Sequence, residues 1–218
     1  MSPATLHGRR LLVSAGPTYE DLDPVRFIGN RSSGKMGFAI AAAAARRGAQ
    51  VVLVSGPVAL ATPPDVTRID VRSAAQMHAA VLAALPADVY VGAAAVADYT
   101  PKQVAAGKIK KHGGRLTVEL VRTADILADV AAHPRRPALV VGFAAETDDV
   151  AANARTKLAG KRIDLIAANR VGVADSGFES DHNVLVVYWA SGERALGPAP
   201  KTEVAELLLD LILEHLPA

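Results

Sequence analysis

The feature that most constrains this chain is a series of short apolar, β-branched runs with amphipathic stretches between them. Such runs suit buried strands, and helix-period stretches between them suit crossovers, so the pattern is that of a parallel sheet with helices on its faces. Strands are predicted at 10–14, 50–55, 67–70, 88–92, 137–142 and 164–168. Helices are predicted at 35–47, 74–85, 124–132, 150–158 and 201–216. Several strands run straight into Gly or Ala. In open α/β sheets ligands bind outside the carboxyl ends of the strands, and small residues there leave them room.

With 218 residues, 50% hydrophobic and 21% charged, the chain is expected to form one α/β domain over 1–218, with 1–9 a disordered start or linker remnant. A formal net charge of +2 gives no support to nucleic-acid binding, and few aromatics leave no platform for stacking bases. The absence of cysteine excludes a disulfide framework, a thiolate zinc site and a cysteine nucleophile. The N-terminal stretch has no long apolar run, so neither a secretion signal nor a membrane span is read, and a cytoplasmic protein is expected.

Three segments interrupt the alternation: Gly16–Gly34, Ala93–Gly114 and a hairpin at Asn183–Leu196 turning at Ser191-Gly192. The first two are candidates for a substrate loop and a lid, because connections this long are usually functional. The hairpin is apolar on both faces, Leu185, Val187 and Trp189 alternating with Val184, Val186 and Tyr188, so the rest of the chain or a partner must cover it.

The first loop ends at Ser32-Ser33-Gly34 before a helix, whose free amides and positive dipole end suit an anion. Gly29–Met36 is not a P-loop: Met36 stands where a magnesium-binding hydroxyl belongs, and no strand directly precedes it. The dinucleotide fingerprint is also missing after the first strand, which disfavours a nicotinamide oxidoreductase. Arg26 can anchor a phosphate or carboxylate, or pair with Asp21 or Asp23. Asn30 can donate to a developing oxyanion, or serve as a turn or cap residue.

In the second loop, small residues at Gly92, Ala93 and Ala94 would let a flat ring approach the backbone, while Asp98 can hold a magnesium ion or a hydroxyl, or cap a turn. Lys108, Lys110 and Lys111 can neutralise phosphates or form a solvated charged loop. Farther on, Phe143 in the string Val141–Thr147 can stack on a base or belong to the core. Lys157 and Lys161 share a helix face that suits a triphosphate or solvent. Thr123-Ala124-Asp125 opens a helix as a ribose or phosphate site, or as a cap. The six histidines have no metal-ligand spacing, and no nucleophile–base pattern emerges, so the chemistry must work by positioning and charge neutralisation.

The strings AGPTYEDLDPVRFIGNRSSGKMG, AAVADY, KIKK, VGFAAET and the later AAN, in this order and spacing, closely resemble the bacterial phosphopantothenoylcysteine synthetases. The resemblance covers nearly the whole chain. It implies a Rossmann-like fold, CTP and Mg2+, and the joining of 4'-phosphopantothenate to L-cysteine through an acyl-cytidylate in coenzyme A synthesis. By matched position it implies that Asn30 engages the acyl-cytidylate, Arg26 contributes to phosphopantothenate binding, and Lys108 meets the CTP phosphates from a lid. It likewise assigns Gly92, Ala93, Ala94, Asp98, Ala124, Asp125, Ile126, Leu127, Phe143, Lys157 and Lys161 to the CTP pocket, with Asp98 at the metal. One departure is Gly29, where the family usually has Ser before the asparagine. The family is dimeric, which offers the hairpin a partner. It is often fused behind an FMN-dependent decarboxylase, and nothing in these 218 residues resembles that part, so no FMN is expected here.

Overall fold

The computed structural model describes residues 5–111, 113–146, 148–170 and 180–217. In chain order its elements are β1 (Arg10–Ala15), β2 (Tyr19–Asp21), β3 (Phe27–Gly29), α1 (Lys35–Arg46), β4 (Gln50–Ser55), β5 (Val66–Asp70), α2 (Ala74–Ala83) and β6 (Val89–Gly92). There follow β7 (Tyr99–Pro101), β8 (Leu120–Arg122), α3 (Ile126–Ala132), β9 (Leu139–Glu146), α4 (Val150–Lys161), β10 (Leu165–Arg170), β11 (His182–Trp189), β12 (Gly192–Pro200) and α5 (Lys201–His215).

The main sheet has the order β12-β11-β10-β9-β6-β1-β4-β5. Strands β5 to β10 in that row pair in parallel, and β11 and β12 join antiparallel. The chain moves outward from β1 through β4 to β5, then returns to the other side of β1 with β6, so the strand order reverses between β1 and β6. This is a Rossmann-like arrangement, and the reversal opens a crevice at the carboxyl ends of these two strands. Alternate residues of each strand feed two cores. Leu11, Val13, Leu53 and Val141 pack with α1 and α5 on one face. Leu12, Val54, Tyr90 and Val140 pack with α2, α3 and α4 on the other.

The predicted strands and helices are present, with β9 running on from the expected end at Gly142 to Glu146. The expectation of a disordered 1–9 fails where the structure describes it. Leu6 is fully buried in the first core, its N–H bonds to the Arg47 carbonyl, and Arg9 pairs with Asp88; residues 1–4 lie outside the described residues. The hairpin β11–β12 is covered from within. Leu185 and Val187 enter the α5 core, while Tyr188 and Val186 lie in the core shared with α4. A partner at this hairpin would meet the edge strand β12 rather than an open apolar face.

The first long connection contains a small ribbon, β2–β3, and the second contains β7, which pairs with β8 just beyond it; the sequence pattern predicts neither ribbon. These strands are three residues long and pair only with each other, too short to carry a hydrophobic period.

Candidate active site at the carboxyl edge of the sheet

The loop after β1 is stitched to the loop after β6 across the crevice. Thr18 N–H donates to the Ala95 carbonyl at 3.2 Å, and Ala95 N–H to the Gly16 carbonyl at 2.9 Å. The buried Thr18 hydroxyl accepts from Ala97 N–H at 2.9 Å. Asn30 adds a side-chain tie: its amide nitrogen lies 3.4 Å from the Ala95 carbonyl and 3.0 Å from the Val96 carbonyl. Both of its N–H groups therefore have backbone acceptors. Asn30 thus fixes one loop against the other in this conformation, rather than offering a ready oxyanion donor.

Two cavities flank this stitched edge, one on each face of the sheet. The first, about 450 Å³, is lined by Asn30, the first turn of α1, Ala93–Val96, Phe143, Asn169, Asn183 and Lys201. The second, about 580 Å³, is lined by Gly92, Ala94, Asp98, Ala124–Leu127, Phe143, Lys157 and Lys161 among others. Ala94, Val96 and Phe143 border both. The cavities therefore meet over the ends of β6 and β9.

Local packing explains the second cavity. Gly92 and Gly142 are register partners on β6 and β9. A Cβ on Gly142 would lie 2.8 Å from Ile163 Cδ1 and 3.1 Å from Leu127 Cδ1, and one on Gly92 would lie 3.1 Å from Leu127 Cδ2. The glycines admit Leu127, and with it the first turn of α3, onto the strand ends. Asp125 caps that turn by accepting from Ala128 N–H at 3.1 Å, so its capping role is realised. Its carboxylate also meets Lys161 at 2.8 Å, joining α3 to α4 across the cavity mouth. At the floor, the buried Ser14 and Tyr90 hydroxyls lie 2.9 Å apart. Burial pushes the pKa of the Tyr90 hydroxyl up to about 12, against the opposing effect of its hydrogen bond with Ser14, so it stays protonated. This pair was missed from sequence because each residue reads there only as part of a strand.

Ten of the residues expected at the nucleotide line the second cavity, and Ala93 lies across the edge in the first. Arg26 and Lys108 are elsewhere, together with Lys110 and Lys111 around a separate depression of about 570 Å³. Arg26 is held by Asp23, as one of the two alternatives had it, and donates to the Ile109 carbonyl at 2.9 Å. Asp23 is itself buried and accepts from the N–H groups of Val25, Arg26 and Ile109. Its carboxyl is held far below the ordinary carboxylate range, chiefly by the Arg26 guanidinium and further by these amides, against the opposing effect of burial. Ile109, the neighbour of Lys108, is thus gripped through both its N–H and its C=O. The expected lid is docked on the tip of the β2–β3 hairpin, away from the second cavity. His112 and Thr147, in the predicted loop and strand-end strings, lie outside the described residues.

Among the described residues no three His, Cys, Asp or Glu gather as a metal cage. No helix of the described residues is long and apolar enough to cross a membrane.

Comparison with known proteins agrees with this architecture. Relatives from Vibrio cholerae (50% identical over 99% of this chain and 55% of their own length) and Escherichia coli K12 (52% over 93% and 51%) are both named coenzyme A biosynthesis bifunctional protein CoaBC. The chain spans about half the length of these curated relatives. A crystal structure of the C-terminal domain of a CoaBC protein superposes with a TM-score of 0.81 at 42% identity, covering 96% of this chain and 97% of that one. A Streptococcus pneumoniae DNA/pantothenate metabolism flavoprotein shares the fold, with a TM-score of 0.82 at 24% identity over 95% of this chain and 100% of its own. Residues 6–216 match the family described as the DNA/pantothenate metabolism flavoprotein C-terminal domain, and the chain belongs to that family.

Proposed function

We propose that the chain is a CTP-dependent ligase that joins 4'-phosphopantothenate to L-cysteine, giving 4'-phosphopantothenoyl-cysteine, CMP and pyrophosphate. The observation that carries this reading is the pair of cavities sharing Ala94, Val96 and Phe143. A nucleotide in one and an acid in the other would meet over the strand ends, where a carboxylate oxygen can reach an α-phosphorus.

In the first step the carboxylate of 4'-phosphopantothenate attacks the α-phosphorus of CTP, forming an acyl P–O bond and expelling pyrophosphate. In the second, the amine of cysteine attacks the acyl carbon and expels CMP, losing its proton to solvent. No protein nucleophile is required. Lys157 and Lys161 on α4 supply positive charge at the nucleotide cavity, and the Ala93–Val96 backbone, tied by Asn30, shapes the meeting point. Mg2+ on a nucleotide takes one or two carboxylates and keeps phosphate oxygens and water as its other ligands. Of the two carboxylates on the second cavity, Asp125 is paired with Lys161, and that of Asp98 fits that mode. Bound there, Mg2+ would neutralise phosphate charge. Lys108 reaches the nucleotide when Ile109 leaves the Asp23–Arg26 grip and the loop swings over.

A cytoplasmic enzyme fits the biosynthetic naming of the relatives. We further assign a homodimer, supported by the exposed apolar side chains that the two small ribbons carry: Phe27 and Ile28 on β3, and Tyr99, Leu120 and Val121 on β7 and β8. A decarboxylase joined or associated with this part is consistent with the bifunctional naming of its longer relatives.

Pyrophosphate release from CTP is the test. It should require 4'-phosphopantothenate, and CMP and the cysteine adduct should follow on addition of cysteine. CTP binding with no pyrophosphate release would reduce the chain to a nucleotide-binding module.

A further inference from the structure

The rim of the second cavity carries a cation that no sequence string indicated. Arg122 ends β8 and lines the cavity together with Asp98, Tyr99 and Thr123. Backbone bonds hold this rim in shape. Tyr99 and Arg122 are register partners in the β7–β8 ribbon, and Thr123 N–H donates to the Asp98 carbonyl at 3.0 Å. The Thr123 hydroxyl donates to the Ala97 carbonyl at 2.6 Å, which ties the ribbon to the loop after β6. Arg122 and Asp98, both exposed, are therefore set on backbone that is fixed to the cavity edge.

The two side chains carry opposite charges, and among the described residues neither makes a hydrogen bond or ion pair, with the other or with any third group. Lys161, by contrast, is matched by Asp125 at 2.8 Å across the same cavity, and Lys108 is docked away from it. An exposed arginine without a partner ordinarily serves only solvation; here a cavity and an uncommitted carboxylate stand beside it. A magnesium polyphosphate asks for both charges at once. The metal takes a carboxylate oxygen, and the phosphate oxygens take a planar fork of N–H donors. An ion pair across the rim would cancel that capacity. The cavity also has a direction. Its floor is neutral, formed by Ser14, Tyr90, Gly92 and Ile166, and its rim is charged, so a nucleotide lies base inward and phosphates outward. Val96, where the two cavities meet, is two residues before Asp98, so phosphates beyond the α position run along this rim.

We infer that Arg122 is a further catalytic residue, binding the β- and γ-phosphates of CTP and holding them as the leaving pyrophosphate. The inference rests on the ligase reading. When the carboxylate attacks, the bond between the α-phosphorus and the bridging oxygen breaks, and its electron pair stays on the pyrophosphate. A guanidinium on the pyrophosphate oxygens stabilises the charge that develops there. Arg122 does so from the cavity itself, without waiting for Lys108 to arrive.

Nucleotide binding tests this apart from turnover. Calorimetric titration with Mg2+ present compares CTP with CMP, which has no β- or γ-phosphate, on the unaltered chain and on Arg122→Gln. In Arg122→Gln the affinity for CTP should fall roughly 10-fold, the lower end for a charge-assisted contact because the residue is exposed. Affinity for CMP should stay the same. Arg122→Lys should restore part of the lost CTP affinity, having the charge without the fork. In a folded Arg122→Gln, a CTP-to-CMP affinity ratio equal to that of the unaltered chain overturns the inference, whether neither nucleotide weakens or both weaken alike. That result leaves the ligase reading intact as long as the unaltered chain releases pyrophosphate from CTP; an unaltered chain that releases none overturns that reading first. A measurement on the unaltered chain covers a variant that does not fold: inorganic pyrophosphate should displace CTP and leave CMP bound. Displacement of CMP at the same pyrophosphate concentration overturns the inference.

Discussion

Asn30 shows how one polar side chain can tie two loops together at a site. Its N–H groups point to the Ala95 and Val96 carbonyls, so its removal frees backbone that borders both cavities. Misplacing groups by about 1 Å near the chemistry can cost ~10²-fold; Asn30→Ala should slow pyrophosphate release by about that factor, and a wild-type rate would show that the tie is dispensable. Asp23 is the second informative residue. Its folded carboxyl titrates below its unfolded value, so its stabilisation is fully present above the ordinary carboxylate pKa of about 4 and is lost as pH falls below it. Asp23→Asn should therefore lower the melting temperature at pH 7, and the gap from the unaltered chain should narrow as the pH drops below about 4. A gap that stays constant with pH would mean that the carboxylate charge contributes nothing.

At the scale of elements, the glycine pair on β6 and β9 sets how closely α3 approaches the sheet. Gly142→Ala would place a methyl 2.8 Å from Ile163 and 3.1 Å from Leu127. The cost should be about 1–3 kcal/mol of overpacking, and, because Leu127 lines the second cavity, where CTP is proposed to bind, KM for CTP should rise; nucleotide affinity unchanged by this substitution would separate the α3 turn from the site. The parallel strands and their crossover helices were legible in sequence because each repeats a hydrophobic period over several residues. The ribbons β2–β3 and β7–β8 were not, being too short for any period and held by contacts with each other. The site divides in the same way. Gly92, Ala94, Asp98 and Phe143 of the second cavity sit in recognisable strings at or after strand ends, whereas Asn183 and Lys201 read locally as a hairpin start and a helix start. Only the antiparallel return of β11 and β12 brings them to α1.

For the whole molecule, the reversal of strand order beside β1 does the organising. It gathers the first-turn amides of α1, the loop after β6 and the end of β9 at one edge, and it gives that edge a cavity on each face. The lysine-bearing loop stands off this edge, docked through Ile109 on the β2–β3 hairpin, which also exposes Phe27 and Ile28. If a second copy covers those side chains, Ile28→Asp should turn a sedimenting dimer into a monomer; a monomeric unaltered chain would rule the dimer out.

In the proposed reaction a carboxylate held in one cavity attacks the α-phosphorus of a nucleotide held in the other. Oxygen-18 in the carboxylate of 4'-phosphopantothenate follows that attack directly. After turnover with CTP and cysteine, the CMP should carry one labelled oxygen; label appearing in inorganic phosphate, with CDP as the other product, would contradict it.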